Sequence, residues 1–280
     1  MIGKSPAHGH ACPERLVTAL KSALALTFSL VVCATSHAQL TTVAYDGFNY
    51  SSGSLVGANG GTGWTSSWIN DYTSGATFQV SGTGMSYSGL ATSGGSLVWG
   101  SGGNGISEDS RSLPLMDSGV VYLQFLSQFG STSGGGTPNI RLLNSGSLTG
   151  GFGGNGGTHG SVMSILDASL SAAANGSSSS SASLSALTFV IARIDYQNDS
   201  TSLWVNPNAT TFDYQNPTSP NATYAGLAPK FNTIAIDSRS PANVDEITVM
   251  TVPEPASASL LALGAFLLYR RRTAKSQRTE

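Results

Sequence analysis

Carboxylates, one histidine and a short run of aromatic residues are the groups in this 280-residue chain that could do chemistry. Nucleophilic hydrolysis needs a nucleophile beside a general base. His159 is the one histidine beyond His37, and it is embedded in glycines. Glycoside cleavage uses two carboxylates flanking the scissile bond, and on one strand these lie two or four residues apart so that both face one cleft. No Glu-x-Asp-x-x-Glu run occurs, and Glu108-Asp109 and Asp245-Glu246 are adjacent pairs whose side chains point to opposite faces of a regular strand. The sequence therefore offers no catalytic centre.

Metal and sugar binding make smaller demands. Calcium takes six to eight oxygens from carboxylates and carbonyls. Asp46 near the first strand and Asp245 near the last are candidate ligands, because terminal strands often pair in all-β folds. The competing reading has Asp245 and Glu246 bonding Arg193 or backbone amides. The turn 195–199, with Asp195 and Asp199, is a weaker ligand source. Sugar faces stack on exposed aromatic rings. Trp64, Trp68 and Tyr72 are spaced four apart and are the candidate glycan platform, whereas Trp99 and Trp204 sit in strand patterns and read as core. Core packing is the competing reading for every tryptophan.

These groups must be positioned by strands. Short runs rich in Val, Ile, Thr and aromatics alternate with Gly, Ser and Asn turns, at 42–45, 77–80, 85–87, 96–99, 120–129, 139–143, 187–195, 201–205, 233–236 and 246–251. No long amphipathic helix interrupts them, which indicates an all-β, antiparallel two-sheet sandwich. Residues 120–129 (VVYLQFLSQF) mix alternation with a doubly apolar centre, as a strand buried on both faces does. The stretch 172–183 (AAANGSSSSSAS) reads as a flexible loop, and 150–160 as a glycine-rich loop without the strand-to-helix context of a phosphate site.

The two ends read as export machinery. Lys4, Arg15 and Lys21 precede an apolar run, 23–32, and then Ser36-His37-Ala38, the layout of a signal peptide cleaved after Ala38. Cys33 raises lipidation as an alternative, set against the bulky Val32 before it. At the other end Val252-Pro253-Glu254-Pro255 leads into a fourteen-residue apolar stretch, 256–269, and then Arg270-Arg271-Arg272. Such a stretch is about 21 Å long as a helix, short for a span but tolerable with snorkelling flanks, and the arginines would stay cytoplasmic.

Between the ends lie about 213 residues, 39–251, enough for one domain with its own core. Both cysteines fall in the removed N-terminal segment. Five basic residues (Arg111, Arg141, Arg193, Lys230, Arg239) face twelve acidic ones, a net charge of −7, which argues against a nucleic-acid partner.

Pro253, Glu254 and Pro255, the apolar stretch and Arg270 to Arg272, in that order, resemble the PEP-CTERM sorting signal. That resemblance implies an exosortase that processes the tail during export, with transient inner-membrane anchoring and a destination at the cell surface or outside it. Within the domain, Tyr45-Asp46-Gly47-Phe48-Asn49-Tyr50, Asn59-Gly60-Gly61-Thr62-Gly63-Trp64, 190–195 (VIARID), 203–207 (LWVNP) and Asp245-Glu246-Ile247 resemble PEP-CTERM proteins with a concanavalin/laminin-G-like jelly roll. The sequence is thus read as signal peptide (1–38), concanavalin-like jelly-roll sandwich (39–251) and sorting signal (252–280), with the two ends helical. The expected role is structural or adhesive, in an extracellular polysaccharide or biofilm matrix. A lectin-like glycan-binding module is the alternative, and a polysaccharide hydrolase or lyase a weaker one.

Overall fold

The computed structural model describes residues 40–99, 105–130, 138–154, 162–168, 178–183 and 185–252. Residues 1–38, expected to be a signal peptide, and Pro253 to Pro255, the apolar stretch and its arginines, expected to be a sorting signal, lie outside the described residues, as does His159. One compact unit runs from Gln39 to Pro253. Among the described residues no helix is long and apolar enough to cross a membrane.

The described residues form strands β1 (Thr41–Asp46), β2 (Gly53–Ser54), β3 (Ile69–Ser74), β4 (Phe78–Ser81), β5 (Ser96–Trp99), β6 (Ile106–Met116), β7 (Val120–Phe129) and β8 (Asn139–Asn144). They continue with β9 (Ser147–Gly153), β10 (Val162–Leu166), β11 (Ser178–Ser183), β12 (Thr188–Asp195), β13 (Ser200–Val205), β14 (Ala222–Ala225), β15 (Phe231–Ser238) and β16 (Ala242–Val252). A nine-stranded sheet runs β14-β13-β12-β7-β16-β5-β4-β2, and β1 also pairs with β16. A seven-stranded sheet runs β11-β10-β9-β8-β15-β6-β3. Neighbouring strands are antiparallel, including the terminal pair β1 and β16. The chain is the all-β, antiparallel two-sheet jelly-roll sandwich that its sequence indicates.

Side-chain alternation builds the layers. Val121, Leu123 and Phe125 of β7 and Val190, Ala192 and Ile194 of β12 enter the main core, where Ile140, Leu142, Ile234 and Ile236 meet them from the seven-stranded sheet. The opposite face of β7 and β12 is also dry. Tyr122, Leu126, Phe189 and Ile191 form a second cluster with Trp204, roofed by Met85, Tyr87, Leu90, Phe212 and Tyr214. Burial on both faces accounts for the doubly apolar centre of β7. Each fully buried Leu, Ile or Phe contributes roughly 1.5–3 kcal/mol relative to its exposed state.

Three elements differ from expectation. Residues 85–87 are roof loop rather than strand, because their apolar side chains cover the second cluster instead of pairing. Serine-rich residues 178–183, expected to be flexible, form β11 on β10, and the glycine-rich start at 150 belongs to β9. The long strand β6 (ISEDSRSLPLM) carries no apolar alternation, because its inward positions hold polar groups, among them Asp109 and Arg111.

Candidate functional site

The expected aromatic platform does not assemble. Trp68 is fully buried, its ring stacked on Phe48 at 5.9 Å and its Nε1–H donated to Asp46 Oδ2 at 2.8 Å. Trp64 is half-buried: its Nε1–H donates to the Tyr45 carbonyl at 2.9 Å, and the Arg111 guanidinium stands 5.0 Å from its ring. Tyr72, on the sheet-edge strand β3, is 54% exposed. Two of the three rings are therefore structural, and only Tyr72 is free to stack on a ligand.

The Asp46 and Asp245 metal pair is also corrected. Asp46 Oδ2 accepts from Arg111 Nη1 at 2.6 Å, Tyr50 OH at 2.7 Å and Trp68 Nε1, while Oδ1 accepts the Phe48 amide at 2.9 Å. A carboxylate already neutralised by a guanidinium and surrounded by N–H and O–H donors does not fit a cation. Asp245 Oδ2 accepts the Met85 amide and Oδ1 the Glu246 amide, both at 2.8 Å. Among the described residues no group of three or more His, Cys, Asp or Glu side chains comes together as a metal cage. Asp195 is likewise engaged, by Arg193 and by the amides of Gln197 and Asn198.

Asp245 and Glu246 do converge, against the alternation expected of adjacent residues. The register of β16 on β7 shifts between Asp245 and Thr248, and Glu246 takes φ of 55°. The bulge turns both carboxylates onto the roof loop: Asp245 holds the Met85 amide, and Glu246 holds the Ser93 amide and the Tyr45 hydroxyl. Burial, with Glu246 and Asp46 nearby, pushes the Asp245 carboxyl up to about 7. This is a latch for a loop.

A charged cluster lies on the outer face of the seven-stranded sheet. Because Ile140, Leu142, Ile234 and Ile236 point into the core, their neighbours Asn139, Arg141, Ala235 and Asp237 point away from it. Cross-strand register then lines up Tyr72, Glu108, Asp237 and Asn139 in one row, over β3, β6, β15 and β8. The next row is Ile69, Ser110, Ala235 and Arg141. Arg141 reaches diagonally across, pairing Nη1 with Glu108 and Nη2 with Asp237, the latter at 2.6 Å. The next strand presents Gly151 and Gly153 opposite Arg141 and Asn139, so no side chain rises there.

The result is a charged triad in which Asp237 is buried with Asn139, Ser110 and Ala235, Glu108 and Arg141 are partly exposed, and Tyr72 and Ile69 are exposed at the β3 edge. Burial raises the Glu108 and Asp237 carboxyls, and the Arg141 guanidinium pulls both back. Asn139 also bonds Asp237, so Glu108 is the carboxylate of the pair that reaches the edge beside Tyr72. Sequence reasoning weighed Glu108 only against Asp109 and passed over Arg141 and Asp237. A signal was present: Arg141 is a lone charge at the centre of an otherwise apolar strand, 139–143 (NIRLL).

No protein-family profile and no curated protein sequence matches the chain. Among solved structures, one titled as a sialidase is similar with TM-score 0.42 and 10% identity, over 68% of this chain and 17% of that one. The chain thus spans about a sixth of that sialidase. The cellulose-induced protein Cip1 is similar with TM-score 0.40 and 15% identity, over 65% of this chain and 90% of its own. The lectin I-B4 of Griffonia simplicifolia is similar with TM-score 0.36 and 9% identity, over 62% of this chain and 92% of the lectin.

Proposed function

We propose that the chain is a glycan-binding module of an exported protein. The observation that carries this reading is exposed Tyr72 standing directly across from the partly exposed Glu108, whose carboxylate Arg141 fixes against the buried Asp237. A ring to stack on, a carboxylate to accept hydroxyl hydrogens and a guanidinium to hold it in place are groups that bind a saccharide. A glycan array on the purified protein tests it. Binding to at least one polysaccharide is expected, and binding to none overturns the reading.

The sequence of the C-terminal tail supports a complementary proposal about the route. Pro253-Glu254-Pro255, the apolar stretch and Arg270-Arg271-Arg272 would hand the protein to an exosortase, after transient anchoring in the inner membrane. The bound polysaccharide would then be extracellular matrix, to which the module adheres. Mass spectrometry of the secreted form tests this: a product that still carries Arg270 to Arg272 in cells with an intact exosortase overturns it.

A further inference from the structure

We infer that Asn59-Gly60 is a self-modification site, at which the folded protein converts Asn59 to an aspartyl residue without an enzyme. The inference stands apart from the glycan-binding reading. An asparagine before glycine can close on itself, because the glycine nitrogen reaches the side-chain carbonyl carbon and no side chain on the glycine obstructs the approach. The fold assembles the groups that this ring closure needs. The Gly60 N–H is turned as a donor to the Tyr50 hydroxyl oxygen, and that hydroxyl donates in turn to Asp46 Oδ2 at 2.7 Å. Asn59 Oδ1 accepts from Arg111 Nη2 at 3.0 Å, which draws charge from the carbonyl carbon and stabilises the oxyanion of a tetrahedral intermediate. The same Nη2 holds the Gly60 carbonyl at 2.8 Å, and Asn59 is exposed, so water reaches the closed ring.

The Gly60 nitrogen bonds to Asn59 Cγ, and its proton passes to the Tyr50 oxygen while that hydroxyl gives its own proton to Asp46. The Cγ–Nδ2 bond then breaks, Nδ2 takes up a proton and leaves as ammonia, and a five-membered succinimide remains. Water opens the ring at either carbonyl, so the net change is asparagine plus water to aspartate or isoaspartate plus ammonia. Packing holds the labile pair in place. A Cβ on residue 60 would lie 2.8 Å from Tyr50 Cε1, and residue 59 supplies Arg111 with an acceptor. Aspartate at 59 would keep that acceptor and give the guanidinium a second carboxylate beside Asp46. Isoaspartate lengthens the backbone by one atom and would pull Gly60 off Nη2.

Peptide mass spectrometry follows the conversion. The folded protein and the same protein in concentrated urea are incubated side by side from mildly acidic to mildly alkaline pH, and the peptide carrying residue 59 is monitored for replacement of its side-chain amide by an acid. Near neutral pH the folded protein is expected to convert at least as fast as the unfolded chain. In the unfolded chain hydroxide must take the amide proton, so its rate should rise about tenfold per pH unit, whereas the folded rate should rise less because Tyr50 and Asp46 supply the base. Tyr50→Phe, checked for folding by its melting curve, should convert about tenfold more slowly than the parent and regain the steeper rise. Folded conversion slower than in urea, or a folded pH profile as steep as the unfolded one, overturns the inference. A folded Tyr50→Phe that matches the parent overturns it too, and if that variant does not fold the comparison of folded with unfolded parent decides alone. None of these results bears on glycan binding.

Discussion

Arg111 and Asp46 meet at 2.6 Å, Nη1 to Oδ2, with 1% of either side chain exposed, and through them β6 of one sheet is tied to β1 of the other. Every donor of the guanidinium is used: Nε on the Ser66 carbonyl, Nη1 also on the Tyr50 hydroxyl, Nη2 on Asn59 Oδ1 and the Gly60 carbonyl. A buried pair this well satisfied is costly to break on one side, because the survivor is left charged in a dry place.

Arg111→Met is therefore expected to lower stability by about 3–5 kcal/mol, and Asp46→Ala by a similar amount. Urea denaturation followed by tryptophan fluorescence measures both. The double variant should lose clearly less than the two losses added, since neither charge is then stranded. Strict additivity would mean that the pair does not interact in solution.

Stability should fall as pH rises from about 4 to above 7. The Asp245 carboxyl is held up to about 7 by burial, against its ordinary 3.8. A group with a raised folded pKa binds more protons folded than unfolded, so its contribution is complete below the unfolded pKa and is lost as pH rises through the folded one. Glu108, Asp109 and Asp237 are raised as well and act with the same sign. Asp195, lowered by Asn198 and Arg193, acts oppositely, losing its contribution as pH falls. Melting temperatures across this range, with Asp245→Asn alongside, check the claim: the variant should show the flatter profile.

Much of the fold was legible, and the unread parts share one physical cause. Strands such as β7 and β12 announce themselves because their apolar residues bury on two faces. β6 stayed silent because its inward positions hold Asp109 and Arg111, which a hydrophobic pattern reads as exposed. The bulge at Glu246 defeated the two-residue alternation, so the meeting of Asp245 and Glu246 on one loop was invisible. Trp64, Trp68 and Tyr72 were singled out together, yet spacing along a chain does not say which ring turns inward. The triad needed residues 108, 141 and 237 to share a sheet face, and only cross-strand register supplies that.

The motif Asn59-Gly60-Gly61-Thr62-Gly63-Trp64 has a backbone reason that can be tested. Tyr45 and Thr62 exchange both backbone hydrogen bonds at 2.9 Å, which brings this segment against β1. Gly63 has φ of 77°, and a Cβ there would lie 1.7 Å from the Val43 carbonyl oxygen. Gly63→Ala thus meets a steric block of rigid backbone as well as an unfavourable dihedral. The expected result is a loss of several kcal/mol, on the order of the largest single-site effects, read as poor soluble yield or a sharply lowered melting temperature. Gly119→Ala is the control, also at positive φ (67°) but with nothing within 4 Å of its Cβ, and it should lose far less.

Tyr72 and Trp68 should separate binding from folding. Tyr72 is 54% exposed at the end of the charged row, so Tyr72→Ala removes a stacking surface and little else. Its affinity for the polysaccharide that the protein binds should drop by roughly tenfold, equivalent to about 1.4 kcal/mol, with the melting temperature unchanged. Trp68 is wholly buried and fills the space between Phe48 and Trp64 while holding Asp46. Trp68→Ala should cost about 3–5 kcal/mol of stability, and whatever protein remains folded should bind normally. Affinity and melting curves on the two variants and the parent decide the matter. If Trp68→Ala abolished binding in folded protein and Tyr72→Ala did not, the ligand would belong on the other side of β3.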